Sequence, residues 1–332
     1  MKKIINSPDA LVDEMLNGLV LAYPQYVTRV PDSAVIARSA KKSKKVALVS
    51  GGGSGHEPSH AGFVGEGMLD AAVCGAVFTS PTPDEVFKAI KAVQTEAGVL
   101  LIIKNYTGDV LNFEMAMEMA EAEGIKVAKV IVNDDVAVMN STYTVGRRGI
   151  AGTVLVHKIT GAAAEAGLSL EEVQKVAEKA IANVRTMGMA LSPCIVPAAG
   201  KPGFTLADDE VEIGLGIHGE PGVSKEKLQS ADKTVAVLLD KICADMPLGG
   251  GDEIALLVNG LGGTPLMELL VANRKANEII TGKGVKIHNT NVGNFMTSIE
   301  MAGFSLSVLK LDGEIKKFYD AKADTIAYKV FA

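Results

Sequence analysis

Two histidines lie in glycine-rich segments where a small ligand could reach both the imidazole ring and the backbone. His218 is within Gly214-Leu-Gly-Ile-His-Gly-Glu-Pro-Gly222, and His56 is within Gly55-His-Glu-Pro58. Because glycine has no Cβ, such segments allow close approach and backbone dihedrals that other residues avoid. A buried, hydrogen-bonded histidine in a tight turn is the alternative for either residue alone. The repeated pattern favours a site that contains both.

Two familiar motifs are matched only formally by these segments. Gly214-x-Gly-x-x-Gly219 has the dinucleotide-binding spacing, but that motif needs a helix at its last glycine. Glu220-Pro-Gly222 predicts a turn instead, which argues against a nicotinamide cofactor.

His56-Glu-Pro-Ser-His60 matches the zinc-protease string, which requires both histidines on one helix face. Since Pro58 disfavours helical geometry before it, we expect a loop at His56, a helix that starts near Pro58 and carries His60, and no metal site.

The segments after the apolar runs carry further polar candidates. Gly51-Gly-Gly53 could cradle a phosphate or hydroxyl with backbone N–H groups, but no P-loop signature accompanies it, so we expect no ATP site. Asp109 follows the most apolar run, Val99-Leu-Leu-Ile-Ile103. It is either a helix N-cap, which aspartate favours, or a carboxylate directed into a crevice beside Lys104 and His56.

Short apolar runs alternate with helical patterns through the first half. The runs predict strands at 46–50, 71–77, 99–103 and 126–132. Ser7-Pro8, Thr82-Pro-Asp-Glu85 and Ser169-Leu-Glu-Glu172 predict helix starts, the second as a capping box. This order indicates right-handed βαβ units and a mainly parallel sheet, with ligands outside the carboxyl ends of its strands. The polar segments all lie at those ends.

The second half repeats the α/β character with different spacing. Predicted strands lie at 189–196, 211–217, 254–259, 285–289, 305–311 and 326–331. We therefore expect an α/β protein of two α/β domains. The first (1–186) has a mainly parallel sheet flanked by helices and carries His56, Lys104 and Asp109. The second (187–332) is a smaller, mixed α/β domain that carries His218.

Composition excludes several other classes. The 332 residues carry 33 Lys+Arg against 39 Asp+Glu, a net charge of −6 without basic blocks beyond the short segment 41–45, which disfavours nucleic-acid and anionic-membrane surfaces. Three scattered cysteines indicate buried thiols in a reducing compartment. No secretory signal is visible, and no stretch reaches the roughly 18 apolar residues of a membrane span. We expect a cytoplasmic protein.

Three other polar positions have simple interpretations. Arg147-Arg148, flanked by glycines, is expected to be a solvated helix start, with an anion or a partner as the alternative. His157 and His288 have no comparable context and are expected to be structural.

Long motifs together resemble one known family. They are Gly51-Gly-Gly-Ser-Gly-His-Glu-Pro58, Phe78-Thr-Ser-Pro-Thr-Pro-Asp84, Lys104-Asn-Tyr-Thr-Gly-Asp109, Tyr143-Thr-Val-Gly-Arg-Arg-Gly149, Val196-Pro-Ala-Ala-Gly-Lys-Pro202 and Gly216-Ile-His-Gly-Glu-Pro-Gly222. The chain closely resembles the substrate-binding K subunits of dihydroxyacetone kinases over nearly its whole length.

That resemblance implies a covalent substrate site. It implies that Nε2 of His218 attacks the carbonyl of dihydroxyacetone and holds it as a hemiaminal, with His56 and Asp109 as acid/base groups. A carbonyl-trapping histidine would distinguish a short ketose from glycerol. The implied substrate-binding residues are Gly53, Ser54, Gly55, His56, Ser80, Lys104, Asp109 and His218. Which of His56 and Asp109 is the base stays open.

The resemblance also implies partners. This chain resembles the stand-alone form, a homodimer with no cofactor of its own, in which ADP/ATP with Mg²⁺ is held on a separate L subunit. A phosphocarrier of the phosphoenolpyruvate phosphotransferase system recharges that nucleotide, although a separate ATP-using L subunit would fit the sequence equally. The rival is a dihydroxyacetone-sensing relative that co-activates a transcription regulator without catalysis. A third possibility, an aldose/ketose isomerase, has no support because the sequence shows neither a metal cluster nor a paired carboxylate base.

Overall fold

A computed structural model describes residues 2–40, 44–139 and 145–331. Parts of the basic segment 41–45 and of the motif 143–149 lie outside the described residues. The first half of the chain has the following elements: α1 (Leu11–Ala22), β1 (Val27–Arg29), β2 (Val35–Arg38), β3 (Ala47–Ser54), a 3₁₀ helix (Ala61–Phe63), β4 (Gly65–Glu66), β5 (Ala71–Val77), α2 (Pro83–Val93), β6 (Val99–Lys104), α3 (Thr107–Ala122), β7 (Val127–Val132), α4 (Thr153–Glu165) and α5 (Leu170–Ala182).

The first sheet is the predicted, mainly parallel one. Its six strands run in the order β1-β2-β5-β3-β6-β7. From β5 to β7 every pairing is parallel, whereas β1 and β2 form an antiparallel edge. The central strands β3 and β6 are buried along their whole length because helices or loops cover both faces. The carboxyl ends of β3, β5 and β6 therefore lie side by side.

The strand β3 is longer than the sequence predicts. The predicted strand ends at residue 50, but β3 continues through Ser54, with Gly51 opposite Val73 of β5. A Cβ on Gly51 would lie 2.4 Å from the Val73 carbonyl oxygen. Glycine is needed here because the neighbouring backbone comes too close for a side chain, which is a common reason for glycine inside a strand.

The second half forms another six-stranded sheet, in the order β10-β9-β8-β13-β11-β12. Only its β11–β12 pairing is parallel among the described strands. Its elements are β8 (Val184–Ser192), β9 (Glu210–Ile213), β10 (Ser224–Lys227), α6 (Ala231–Asp245), β11 (Glu253–Gly260), α7 (Leu266–Gly282), β12 (Lys286–Gly293), β13 (Ala302–Leu311), α8 (Gly313–Asp320), β14 (Ala323–Thr325) and β15 (Lys329–Val330). This mixed sheet confirms the predicted α/β class.

Several local predictions need correction. Helix α1 begins at Leu11, and Ser7 accepts only the N–H of Ala10 in the preceding turn. Thr82 caps α2 by position without a side-chain bond, because Glu85 instead accepts the N–H of Ala34. The capping box at Ser169 is present as predicted.

Two further corrections concern strand and helix positions. No α-helix starts near Pro58, since His60 only precedes the short 3₁₀ helix. The strand expected at 189–196 is β8, which begins five residues earlier at Val184. The final apolar run, 326–331, lies after β14 and contains only the short β15.

The chain after β13 returns to the first half. Strand β14 pairs with β4, and Phe318 of α8 shares a hydrophobic core with Leu48 and Leu100 of the first sheet. The buried amine of Lys158 donates to the Phe318 carbonyl at 2.6 Å. The predicted division at residue 186 falls within β8 and stays a prediction. No helix in the described ranges is long and apolar enough to cross a membrane.

Candidate functional site

A cavity of about 380 Å³ lies at the carboxyl ends of β3, β5 and β6. Its lining comes from both halves of the chain and comprises Gly53, Phe78, Ser80, Tyr106, Gly108, Asp109 and His218. The end of β3, the segment after β5, and the segment after β6 with the first turn of α3 supply all of these except His218, which lies in the loop between β9 and β10. The cavity is therefore placed where parallel sheets bind ligands.

The imidazole of His218 lies among three rings of the first half. The ring centroids of Tyr106, His56 and Phe78 are 4.7, 4.8 and 5.2 Å from that of His218, each in an edge-on arrangement. His56 itself stacks on Phe78 at 5.1 Å. These contacts restrict the orientation of His218, whose side chain retains 18% of its exposure. One side of the imidazole therefore stays accessible.

Glu220 binds both the backbone and the ring of His218. Its Oε2 accepts the His218 backbone N–H at 2.9 Å, and its Oε1 lies 3.0 Å from Nδ1. Burial alone would raise the pKa of Glu220, but the hydrogen bond and charge of His218 and the nearby Arg148 guanidinium lower this pKa to about 2. The carboxylate is thus ionised at neutral pH and can only accept hydrogen bonds.

Arg148 holds this loop to the first half. Its side chain is fully buried, pairs with Asp135 at 2.6 Å and donates to the Gly214 carbonyl at 2.7 Å. Burial raises the pKa of Asp135 to about 6 while the Arg148 charge opposes that shift, so Asp135 is ionised at neutral pH. The expectation of a solvated helix start at Arg148 is therefore wrong. The ion pair is non-local, which is why the sequence did not indicate it.

Gly216 allows Glu220 to reach its position. A Cβ on Gly216 would lie 2.1 Å from Oε2 of Glu220 and 2.7 Å from Nη1 of Arg148. No helix begins at Gly219, as predicted, but the turn lies at residues 217–219 and not at the predicted residues 220–222. The glycine spacing thus serves a carboxylate that contacts His218, and no dinucleotide-type helix follows it.

His56 is a neutral imidazole with a defined tautomer. Its Nδ1 lies 2.7 Å from the Thr297 carbonyl, an acceptor, so Nδ1 carries the proton. Complete burial, with the charges of His218 and Lys104, lowers the pKa of His56 well below its usual value. Its Nε2 has no hydrogen-bond partner among the described residues. His56 can therefore accept a proton or a hydrogen bond at Nε2.

Asp109 and Lys104 form a buried charged pair beside the cavity. Asp109 lies in the first turn of α3, two residues beyond the helix start, and is therefore not its N-cap. Its Oδ2 is 3.6 Å from Nζ of Lys104, and its Oδ1 has no hydrogen-bond partner in the described part of the chain. Burial raises the pKa of the Tyr106 hydroxyl, which also lacks such a partner and stays a donor.

The remaining predicted residues lie farther from the cavity. The Ser54 hydroxyl donates to the Gly75 carbonyl at 2.7 Å, and Ser54 lines a separate, largely apolar cavity of about 350 Å³ next to α1. Gly55 does not line the site cavity but accepts the Ile299 N–H at 2.7 Å. Their predicted contacts with a substrate stay predictions.

The two histidines of the zinc-protease string point to different partners. His60 pairs with His157 at 3.0 Å, whereas His56 bonds to Thr297. Within the described ranges, no group of three or more His, Cys, Asp or Glu side chains is arranged to hold a metal ion. His157 thus has a structural partner, and His288 lies between Glu253 and Asp320 on the surface.

Sequence reasoning did not single out Phe78, Tyr106 or Glu220. Phe78 and Tyr106 lie within quoted motifs next to Ser80 and Lys104, and this adjacency was the available signal. Glu220 is two residues after His218, close enough to contact the ring in a tight turn.

The sequence matches a known protein family over most of its length. Residues 17–327 match the family model of the Dak1 domain. The chain belongs to the Dak1 family. It is 56% identical over 331 residues to the dihydroxyacetone-binding subunit of PTS-dependent dihydroxyacetone kinase 1 from Listeria innocua, covering 99% of this chain and 100% of that one.

Two solved structures of Dak1 relatives are also similar. The dihydroxyacetone kinase of C. freundii, in complex with AMP-PNP and Mg²⁺, superposes with a TM-score of 0.92 at 38% identity, over 99% of this chain and 61% of that one. The dihydroxyacetone kinase operon co-activator DhaQ gives a TM-score of 0.91 at 38% identity, over 96% and 98%. The Dak1 fold therefore occurs both in a kinase and in a co-activator.

Proposed function

We propose that this Dak1 protein is the dihydroxyacetone-binding subunit of a phosphoenolpyruvate-dependent dihydroxyacetone kinase. His218 captures the ketone of dihydroxyacetone as a hemiaminal through Nε2. A phosphoryl group then passes to a substrate hydroxyl from a nucleotide held, with Mg²⁺, on a separate L subunit that a phosphocarrier recharges. The placement of a histidine from the second half against Asp109 and His56 of the first half carries this proposal.

The cavity has room for a three-carbon hydroxyketone, and part of its lining is polar. Gly53 and Gly108 leave room at its walls, and the unpartnered Oδ1 of Asp109 and hydroxyl of Tyr106 belong to lining residues. The unpartnered Nε2 of His56 belongs to a ring that contacts His218 and Phe78. Buried polar atoms of this kind are stabilised by a ligand that completes their hydrogen bonds.

The acid/base groups differ in what they can do at neutral pH. Since burial and neighbouring charges lower the pKa of His56, it is a neutral acceptor rather than a cationic acid. Asp109 lies 3.6 Å from the Lys104 amine. Either group can remove a hydroxyl proton as phosphoryl transfer proceeds, and alignment with charge stabilisation supplies the remainder.

The test is phosphorylation of dihydroxyacetone by this chain with an L subunit and its phosphocarrier system. His218→Ala is expected to abolish capture and turnover, whereas Asp109→Asn is expected to lower turnover and keep capture. His288→Asn, a surface histidine with carboxylate neighbours, is the matched control and should turn over normally. Turnover that persists in His218→Ala would refute covalent capture as a required step.

The second candidate is a sensor that captures dihydroxyacetone and co-activates transcription. The similarity to the co-activator favours it, because the two chains match over nearly their whole lengths. Capture at His218 without turnover, under either phosphocarrier or ATP as donor, would establish the sensor instead of the kinase. Asp109 in the cavity lining and His56 against the His218 ring favour the kinase.

A further inference from the structure

Glu220 is the residue outside the predicted set that contacts His218 most closely. Its carboxylate is almost completely buried, yet both oxygens are directed at one residue, with 2.9 Å to the backbone N–H and 3.0 Å to Nδ1 of His218. Burying a carboxylate costs folding free energy unless the carboxylate is paired and hydrogen-bonded. The arrangement therefore indicates a specific use rather than chance packing.

We propose that Glu220 is a positioning residue that fixes the Nδ1–H tautomer of His218 and stabilises the positive charge that the ring acquires when Nε2 adds to a carbonyl. This inference rests on the proposed capture of dihydroxyacetone by His218. It adds a residue, a protonation state and an electrostatic role that the capture itself leaves open.

The tautomer follows from the chemistry of the two partners. An ionised carboxylate has no proton to donate, so the close contact requires Nδ1 of His218 to carry one. In a neutral imidazole the other nitrogen then has the lone pair. Nε2 is thus the nucleophilic atom, and its lone pair needs no prior loss of a proton. Carboxylate–histidine contacts set tautomer and ring orientation in the same way at metal sites.

The charge argument follows from the addition step. The bond from Nε2 to the carbonyl carbon forms as the carbonyl π bond opens, and the oxygen takes up a proton from solvent. The ring still carries Nδ1–H and becomes an imidazolium. Its positive charge then lies beside the Glu220 carboxylate, where a charge-assisted hydrogen bond is stronger than a neutral one.

Other contacts of the loop between β9 and β10 stabilise the position of Glu220 against His218. Arg148 donates to the Gly214 carbonyl, and Gly216 leaves the space that the carboxylate occupies. A second buried glutamate, Glu212, accepts the N–H of Gly222 at 2.8 Å and stabilises the same loop without contacting the imidazole among the described interactions. Glu212 therefore offers a matched control for a purely structural effect.

The experiment compares wild type, Glu220→Gln and Glu212→Gln by NMR. Nitrogen-labelled protein reports which ring nitrogen of His218 is protonated before any ligand is added. Dihydroxyacetone labelled at its carbonyl carbon reports capture as a carbonyl signal replaced by that of a tetrahedral carbon. Glu220→Gln should lower the Nδ1–H population and weaken capture by roughly 10- to 100-fold, as expected for loss of a charged hydrogen bond. Glu212→Gln should change neither reading at His218.

The outcomes test the role of Glu220 and covalent capture by His218 separately. A wild-type His218 protonated at Nε2, or a Glu220→Gln protein with unchanged tautomer and capture, overturns the role of Glu220. Equal losses in Glu212→Gln and Glu220→Gln also overturn it, since loop stability would then be the cause. The expected tautomer pattern without any capture in wild type supports positioning by Glu220 and overturns covalent capture. If Glu220→Gln fails to fold, the tautomer of His218 in the wild type still tests the role of Glu220.

Discussion

The buried pair of His60 and His157 makes the stability of the fold sensitive to acid. Both rings are fully buried, 3.0 Å apart, and burial is the main cause that lowers the pKa of each below its usual value. For His157 the pKa falls to about 3, with the Lys104 charge as a second cause. His157 is therefore neutral in the folded protein at pH values well above its pKa.

The magnitude follows from the difference between folded and unfolded chains. An unfolded histidine takes up a proton below about pH 6.5, whereas folded His157 does not, so the unfolded chain binds more protons between about pH 6.5 and 3. Stability is therefore lost as the pH falls through that window. At about pH 5 the loss from His157 alone is roughly 2 kcal/mol, from 1.5 pKa units at 1.36 kcal/mol each.

The assay is urea unfolding of wild type and His157→Gln at about pH 8 and about pH 5. At the higher pH the difference between the two proteins measures lost packing and the lost bond to His60. That difference should shift by roughly 2 kcal/mol in favour of His157→Gln at the lower pH, because glutamine takes up no proton. An equal difference at both values, with unchanged denaturant dependence, would show that His157 is not held neutral and would refute the reasoning.

Two other sets of variants test the support of the His218 loop. Gly216→Ala should weaken dihydroxyacetone capture because the new methyl group displaces the Glu220 carboxylate, and carbon NMR measures this loss. Gly203→Ala is the control, since a Cβ at Gly203 would lie in open space. Arg148→Met should lower the free energy of unfolding by about 3–5 kcal/mol, since it leaves a buried carboxylate unpaired. Arg147→Met, which removes a partly exposed ion pair, should cost about 1 kcal/mol or less, and equal losses would contradict the distinction.

The local patterns predicted the first sheet and one side of the site well. His56, Lys104 and Asp109 follow predicted strands that end at residues 50 and 103, and neighbouring parallel strands end at one edge of the sheet. The extension of β3 through Ser54 was not predicted because glycine is unfavourable in strands, and only the close approach of β5 explains it.

The rest of the site could not be predicted from the sequence because it depends on contacts between residues that are far apart in the chain. The burial of Arg148 depends on Asp135 and on a loop near residue 214, so two arginines between glycines looked like a polar surface. The insertion of His218 among rings of the first half depends likewise on how the two sheets meet. Contacts between residues that are distant in the sequence produce no periodic pattern of apolar and polar residues from which they could be predicted.

The two imidazoles at the cavity are distinguished by what holds their Nδ1 atoms. His56 donates to a neutral carbonyl, that of Thr297, and burial lowers its pKa, so its environment resists a positive charge. His218 lies beside the anionic Glu220, which favours such a charge. Although the ring centroids are only 4.8 Å apart, the surroundings of the first ring therefore favour a neutral acceptor, whereas those of the second favour a positive charge. This difference supports the proposed capture at His218, and it leaves both His56 and Asp109 available as the proposed base.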